Sequence, residues 1–252
     1  MMNPAELANI ARFEKDFWWY RGMECILFRM LDRMAPRSAD AVEAGCGTGR
    51  MSLEIARRYG WRMFPIDLEQ TALAFAAAQG CRRLAQADIA ALPFADGQFD
   101  AAVSLDVMVY IPRGQEANVI RELARVIAPG GLLVLRTAAL ELLRSHHAEF
   151  TGERQRFTRS QIMQLASQNG VKILRCTYAN SLLLPIALAK FRIIEPLVVA
   201  LTGRQPESGV QPVAPWLDRL LYAVLKLEAW WLGLGRSLPI GQSLILIGER
   251  TA

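Results

Sequence analysis

The sequence predicts an α/β fold in which helices alternate with the strands of a mostly parallel sheet. Short apolar runs are separated by helical patterns of about ten residues, an alternation that is typical of βαβ units. A glycine-rich segment stands between the first apolar run and the first of these helices. The predicted strands are residues 39–44, 61–66, 82–86, 99–105 and 131–137, and the predicted helices between them are residues 50–59, 69–78 and 115–127.

The chain has enough apolar residues for one folded domain with an added segment. Of its 252 residues, 52% are hydrophobic and 21% are charged, which excludes global disorder. The formal net charge is +5, and 25 arginines outnumber four lysines without forming a block of like charges. Such scattered cations favour a solvated basic face over a nucleic-acid groove, whereas an anionic substrate or an anionic membrane surface stays open as a partner.

Cysteine and histidine spacing predicts neither a disulfide framework nor a metal site. The four cysteines form no CxxC pair, and the two histidines, His146 and His147, are adjacent in the chain. Neither arrangement matches the ligand spacing of zinc sites. We therefore expect a protein that binds no metal. Residues 1–16 lack the apolar core of a secretory signal, so we also expect a cytoplasmic protein.

Further elements flank the strand and helix alternation. Apolar residues at helical spacing predict a single helix over residues 5–34, which contains an aromatic run at residues 17–20. A helix at residues 160–168 precedes a strand at 171–178, and the last strand is expected at 244–249. The predicted organisation is an N-terminal helical cap (1–38), an α/β core (39–180), a helical insert (181–241) between the last two strands and a last core strand (242–252).

The insert is the most apolar part of the chain. Residues 181–201 are long enough to span a bilayer, but Lys190, Arg192 and Glu195 interrupt them and argue against insertion. A segment rich in proline and glycine then leads to an amphipathic helix at 216–231, which has tryptophans at both ends. These two regions could cover a substrate, form a homodimer contact or lie on a membrane.

The segment after the first predicted strand has the chemistry of a cofactor-binding loop. Gly45, Gly47 and Gly49 alternate with small residues just ahead of a predicted helix. Glycines allow the backbone to approach a ligand closely, and the helix N-terminus attracts an anionic group. Arg50 stands where a dinucleotide fingerprint has its third glycine, which disfavours NAD and FAD, and the Lys-Ser or Lys-Thr pair of a P-loop is missing.

Together with Glu43, this loop resembles motif I of the class I S-adenosylmethionine-dependent methyltransferases. The resemblance covers residues 40–180 and implies a Rossmann-like, mostly parallel seven-stranded sheet that binds S-adenosylmethionine and releases S-adenosylhomocysteine. Three shorter segments, residues 157–159, 178–185 and 238–244, resemble a bacterial subgroup of the methyltransferase-11 type. The neighbouring segments that agree with the family pattern are Ile66-Asp67-Leu68, Ala87-Asp88-Ile89, and residues 92–100, 104–107 and 123–131.

The resemblance also implies roles for individual residues. Asp67 would bind the ribose hydroxyls, and Asp88 would receive the adenine amino group. Tyr20 or Arg21 would reach the methionine carboxylate. Simpler interpretations stay open, because either aspartate could cap a helix or loop and the aromatic run could belong to the core. The full set of implied cofactor residues is Tyr20, Arg21, Glu43, Gly45, Cys46, Gly47, Gly49, Asp67, Leu68, Asp88, Ile89 and Leu105.

Direct methyl transfer needs a nucleophile held in line with the sulfonium methyl group, and an oxygen or nitrogen nucleophile can also need a base. His147 is the predicted general base, because a histidine titrates near neutral pH. His146 and Tyr110 are predicted to face the substrate, although Tyr110 stands where many members of the family have a histidine. The alternative for the two histidines is a surface pair.

The expected acceptor is a small apolar or amphiphilic molecule that offers an oxygen, nitrogen or carbon nucleophile. The apolar insert favours this class. A nucleic-acid acceptor is disfavoured, because residues 104–107 lack the Asn-Pro-Pro-aromatic loop of methyltransferases that act on base amino groups. Two alternatives stay open: a membrane-peripheral enzyme that methylates a lipid or lipid-linked sugar, and a cofactor-binding protein that has lost catalysis.

Overall fold

A computed structural model describes residues 4–144, 148, 150–203 and 210–251 of the chain. Its strands are β1 (Asp40–Ala44), β2 (Arg62–Asp67), β3 (Ala85–Gln86), β4 (Phe99–Leu105), β5 (Ile127–Ala138), β6 (Val171–Ala179) and β7 (Ser243–Arg250). They form one seven-stranded sheet in the order β3-β2-β1-β4-β5-β7-β6. Strands β1 to β5 pair in parallel, and β7 runs antiparallel to both β5 and β6. The predicted α/β, Rossmann-like fold is therefore confirmed.

Helices cover both faces of this sheet and one of its edges. They are α1 (Pro4–Phe13), α2 (Trp18–Leu31), α3 (Arg50–Tyr59), α4 (Gln70–Gln79), α5 (Glu116–Val126), α6 (Arg159–Gln168), α7 (Leu184–Ala189), α8 (Glu195–Thr202) and α9 (Pro215–Gly233). A π-helical segment, Lys190–Ile194, joins α7 to α8. In the part of the chain that the structure describes, no helix is both long and apolar enough to cross a bilayer.

Successive residues of the central strands pack alternately into two separate hydrophobic cores, one on each face of the sheet. Ala102 and Leu133 belong to a cluster that includes side chains of α5 and α6. Their chain neighbours Val103 and Val134 belong to a second cluster, which includes side chains of α2 and α9. This division follows from the two-residue period of a strand, and burial on both faces explains why the central strands read as continuous apolar runs.

The N-terminal region differs from the single helix that the sequence predicts. The chain leaves the helical path between α1 and α2, although neither proline nor glycine lies there. Buried Glu14 accepts hydrogen bonds from the Thr48 hydroxyl (2.7 Å) and the Gln79 amide (2.8 Å), and the Trp18 amide donates to Asp218 (2.9 Å). These long-range partners stabilise a break that local helix propensity does not encode.

Two other boundaries also shift. The sequence predicts that residues 129–131 form a turn between α5 and β5, but α5 ends at Val126 and β5 begins at once with Ile127. The turn residues lie inside the strand, where the pairing with β4 shifts its register. The apolar part of the insert forms the continuous helical path from α7 to α8. The last helix, α9, packs on α2 so closely that a Cβ at Gly22 would overlap the Leu225 side chain.

Candidate functional site

A cavity of about 1050 Å³ opens at the carboxyl edge of the parallel strands. This edge is where open α/β sheets bind their ligands, because the loops that leave neighbouring strands diverge there. The walls come from the loops after β1, β2, β3, β4 and β5, from the α1–α2 region, and from the first helix of the insert. The cavity is at the upper end of the usual range for ligand sites, so it has room for a cofactor and a second molecule.

The glycine loop after β1 forms one wall. Gly47 has φ +54° and lines the cavity, and a Cβ built on it would meet no atom within 4 Å. Its backbone is therefore open to a ligand. Gly45 and Gly49 also have positive φ, but a Cβ there would overlap Val107 and Cys81 respectively. Gly49 does not line the cavity, so its glycine serves the close packing of the loop on neighbouring elements.

Asp67 and Glu69 bring two carboxylates to the end of β2. Asp67 accepts hydrogen bonds from the Gly47 amide (2.8 Å) and the Glu69 amide (3.0 Å), so it fixes the glycine loop as well as lining the cavity. Glu69 also lines the cavity, and its buried Oε1 has no hydrogen-bond partner in the structure. A buried acceptor without a donor is costly, and the hydroxyls of a ribose would supply the donors that this position lacks.

Glu43 lies at the carboxyl end of β1 beneath the glycine loop. It is buried and accepts a hydrogen bond from the Ser52 hydroxyl at the start of α3. Burial raises the pKa of Glu43 to about 7, while the hydrogen bonds from Ser52 oppose the shift. The carboxyl group therefore changes charge near neutral pH inside the cavity wall.

Asp88 and Ile89 line the cavity after β3, together with exposed Leu68 after β2. One Asp88 oxygen accepts a hydrogen bond from the Ala90 amide (2.8 Å), which is the loop-capping role that the sequence left open. The second oxygen has no such partner in the loop. The structure therefore allows a cap and a ligand contact at the same side chain.

A charged pair that sequence reasoning missed lines the cavity. Arg136 on β5 donates from Nε (2.9 Å) and Nη2 (2.6 Å) to one carboxylate oxygen of Asp106, and its guanidinium lies 5.4 Å from the ring centre of Trp19. Asp106 has φ +61°, a strained conformation for a residue other than glycine. An arginine inside the apolar run of β5 was the available signal, because a buried strand rarely carries a charge without a partner.

Tyr20 and Arg21, the two N-terminal residues implied in cofactor binding, lie in different surroundings. Tyr20 lines the cavity, and burial raises the pKa of its hydroxyl, with Glu6, Glu14 and Asp106 adding to the shift. Tyr20 therefore stays protonated and can donate a hydrogen bond.

Arg21 departs from the implied set, because it does not line the cavity. It donates to Asp218 (3.2 Å) and stacks on Tyr222 at 4.0 Å, so it links α2 to α9.

The remaining residues from the sequence analysis fall into two groups. Cys46, Leu105 and Tyr110 line the cavity, and burial raises the pKa of the Cys46 thiol and of the Tyr110 hydroxyl. Both groups are therefore protonated at neutral pH, which fits the packing interpretation of Cys46. His146 and His147 lie outside the described residues. Among the residues that are described, no cluster of His, Cys, Asp or Glu could hold a metal ion, and the absence of a metal stays a prediction.

Apolar side chains also line the cavity and together form its apolar chamber, and two cations line the same cavity. Arg154 lines it, and no carboxylate among the described residues pairs with its guanidinium. Lys190 also lines it and lies 3.9 Å from Glu195. The chamber's apolar walls include Leu7, Ile10, Phe17, Val109, Leu183, Ile186, Phe191, Val210 and Val213. Leu183, Ile186 and Phe191 are the large apolar residues of 181–201 that line the cavity, whereas Ile193, Ile194, Leu197 and Val198 do not line it and are exposed.

Comparison with known proteins gives an independent view of the core. Residues 41–131 match a family model described as a methyltransferase domain. A probable S-adenosylmethionine-dependent methyltransferase of Mycobacterium tuberculosis is 30% identical over 121 residues, which are 48% of this chain and 42% of that protein. A malonyl-[acyl-carrier protein] O-methyltransferase of Enterobacter lignolyticus is 36% identical over 110 residues, which are 43% of each chain. The chain thus spans about two fifths of the length of these relatives.

A solved structure supports the fold over the whole chain. A TehB-like SAM-dependent methyltransferase from Corynebacterium glutamicum superposes with a TM-score of 0.59 and 15% identity, and the match covers 99% of this chain and 100% of that one. At this identity the likeness concerns the fold alone. The fold and the domain match agree on the region that contains the glycine loop and the acids after β2, β3 and β4.

Proposed function

We propose that this chain, which carries a methyltransferase domain of the class I S-adenosylmethionine-dependent type, transfers a methyl group to a small apolar or amphiphilic acceptor. One observation carries the proposal: a single cavity joins the glycine loop and its acids to an apolar chamber. Methyl transfer requires two molecules to meet in one closed space, and this cavity has a polar half and an apolar half in contact.

The residues of the polar half fit S-adenosylmethionine. Asp67 and Glu69 would hold the ribose hydroxyls, and Asp88 with Ile89 would hold the adenine. The open Gly47 backbone and the buried Tyr20 hydroxyl would face the methionine end. When bound, the cofactor supplies an electrophilic methyl group on a sulfonium sulfur.

The rest of the chemistry belongs to the protein. The apolar walls exclude water and orient the acceptor, and the Glu14 hydrogen bonds hold the α1–α2 region against the glycine loop. Tyr20 and Tyr110 act as hydrogen-bond donors, because burial keeps both hydroxyls protonated. His147 remains the proposed general base for an acceptor that must lose a proton, with His146 beside the substrate.

The acceptor class follows from the apolar half. Its aliphatic and aromatic walls suit a hydrocarbon or ring system, and Arg154 and Lys190 suit an anionic group. The Enterobacter relative is named as an O-methyltransferase, which favours an oxygen nucleophile, although nitrogen and carbon stay open. We expect the enzyme to act in the cytoplasm. The proposed site allows either a homodimer or a peripheral membrane contact.

A calorimetric titration with S-adenosylhomocysteine, with NAD as the control ligand, tests the proposal. We expect micromolar binding of S-adenosylhomocysteine alone, and a loss of about a hundredfold in Asp67→Ala, which removes a charged acceptor. Asp40→Ala, at the opposite end of the sheet, is the matched control that should bind normally. Absence of binding to the unmodified protein would refute the cofactor assignment.

Turnover is tested separately, with labelled methyl donor and a panel of amphiphilic acceptors. Binding without any turnover would support the alternative of a cofactor-binding protein that has lost catalysis. If an acceptor is found, full turnover by His147→Ala would exclude His147 as the base.

A further inference from the structure

The outer face of α9 carries an exposed apolar stripe. Trp216, Leu220, Leu227, Trp230 and Leu234 follow at intervals of three, four or seven residues, so they share one side of the helix. Each is about half exposed or more, with Trp216 at 67%. The opposite side of the same helix is buried on α2. One helix therefore has two apolar sides, and only one of them is covered.

The helical path from α7 to α8 exposes a second apolar surface. Ile186, Ile193, Leu197 and Leu201 are between 56% and 76% exposed, and Leu201 is the most exposed large apolar side chain in the described chain. Exposed apolar groups of this density mark an interaction surface rather than ordinary protein exterior.

The exposed surface of α7 and α8 reaches the cavity. Ile186 is 60% exposed and also lines the cavity, as the next residue, Ala187, does. Leu221 of α9 lines the cavity too, but it packs with the core on the α2 side of the helix and does not belong to the exposed stripe. A molecule that covers the surface of α7 would therefore also lie beside the cavity.

The charges around these surfaces identify the partner. In the described parts of the insert, 181–203 and 210–242, every exposed charged side chain is a cation. The acidic side chains in these parts are not exposed: Glu195 and Glu228 are buried, and Asp218 is partly buried and pairs with Arg21. A second copy of this chain would bring like charges together, whereas an anionic bilayer complements them. The exposed cations are Lys190, Arg192, Arg219, Lys226 and Arg236.

We propose that the exposed surfaces of α7, α8 and α9 dock on an anionic lipid bilayer, with the cavity mouth facing the lipid. The tryptophans at both ends of α9 suit the depth of the headgroup region, and the cations suit its surface. Docking does not depend on the cofactor assignment. Its consequence, that the acceptor enters from the lipid phase, rests on the proposed methyltransferase function.

Co-sedimentation with vesicles tests the docking. The full chain should pellet with vesicles of phosphatidylcholine mixed with phosphatidylglycerol, bind phosphatidylcholine alone more weakly, and detach as salt is raised. Leu197→Gln with Leu201→Gln should weaken binding about tenfold or more, because two apolar side chains leave the lipid. Arg192→Gln and Lys226→Gln should each cost about fivefold on anionic vesicles. Leu174→Gln, at an exposed leucine of β6, should bind as the unmodified chain does.

Two measurements keep the outcome specific. Affinity for S-adenosylhomocysteine and the thermal midpoint should stay unchanged in all these variants, since none of the substituted residues lines the cavity. Failure of the unmodified chain to bind anionic vesicles would overturn the docking proposal, and so would full binding by the double leucine variant. Concentration-dependent dimers that the double leucine variant abolishes, without vesicle binding, would show instead that a second copy covers these surfaces.

Discussion

Arg136 and Asp106 join two neighbouring strands, β4 and β5, in the wall of the cavity. Nε and Nη2 of Arg136 donate to the same Asp106 oxygen, at 2.9 and 2.6 Å, and the Asp106 amide donates back to the Arg136 carbonyl at 2.8 Å. The pair fixes the loop after β4 in a left-handed conformation at Asp106. Its position in the site means that it orders the cavity wall before any ligand binds.

Removing the cation of this pair should destabilise the fold. Arg136→Met leaves Asp106 facing the cavity without its partner, and we expect a loss of about 1–3 kcal/mol in the free energy of unfolding, since Asp106 is itself a third exposed. The exposed pair Arg58–Asp32 gives the control, because Arg58→Met should cost no more than about 1 kcal/mol. Urea unfolding measures both. Equal effects would show that the pair in the cavity is no more than a surface ion pair.

Gly47 and Gly60 offer a comparison that separates ligand contact from backbone strain. Both have positive φ, +54° and +70°, and a Cβ on either would meet no atom within 4 Å. Alanine at either position should therefore cost about 1 kcal/mol of stability. Gly47 lines the cavity and Gly60 does not, so Gly47→Ala alone should weaken the binding of S-adenosylhomocysteine. If calorimetry gave the same affinity for S-adenosylhomocysteine in Gly47→Ala and Gly60→Ala, the Gly47 backbone would not contact the ligand.

The buried Glu43 should make stability depend on pH. Its pKa rises from 4.5 to about 7 on folding, because burial disfavours the charged form. Because the pKa of Glu43 is higher in the folded than in the unfolded chain, its contribution to stability is fully present below pH 4.5 and is lost as the pH rises toward 7. The difference in unfolding free energy between the unmodified chain and Glu43→Gln should therefore fall by about 3 kcal/mol across this range.

Urea titrations at a series of pH values would check this expectation. A constant difference between the two proteins would mean that Glu43 keeps an ordinary pKa in the fold.

Glu14 should hold the N-terminal region on the core. Glu14→Ala removes the acceptor of the Thr48 and Gln79 hydrogen bonds, so the backbone amides of α1 should exchange with solvent about tenfold faster or more. Lys15→Ala changes the next residue, which is exposed, and should leave exchange unchanged. Hydrogen exchange resolved along the chain makes the comparison, and identical protection of α1 in both variants would rule out this role for Glu14.

The order of strands and helices along the chain and the glycine loop between β1 and α3 follow from the sequence alone. Both depend on residues that are neighbours in the chain: apolar period and glycine spacing are local properties, and the core strands follow them. The acids after β2 and β3 also lie where the motif spacing predicts. The local pattern failed where distant partners decide, as in the break between α1 and α2, where Thr48, Gln79 and Asp218 compensate for the interrupted helix.

Which side chains face the cavity depends on tertiary packing. Tyr20 and Arg21 are adjacent, and successive residues of a helix point about 100° apart, so the packing of α2 against α9 leaves Tyr20 at the cavity and Arg21 at Asp218. Arg136 could equally have faced the opposite core, since a strand alternates its sides. The sequence determined the elements and the motif because those are local. The tertiary structure decided the composition of the site because the rotation of each helix and the register of each strand depend on what packs against them.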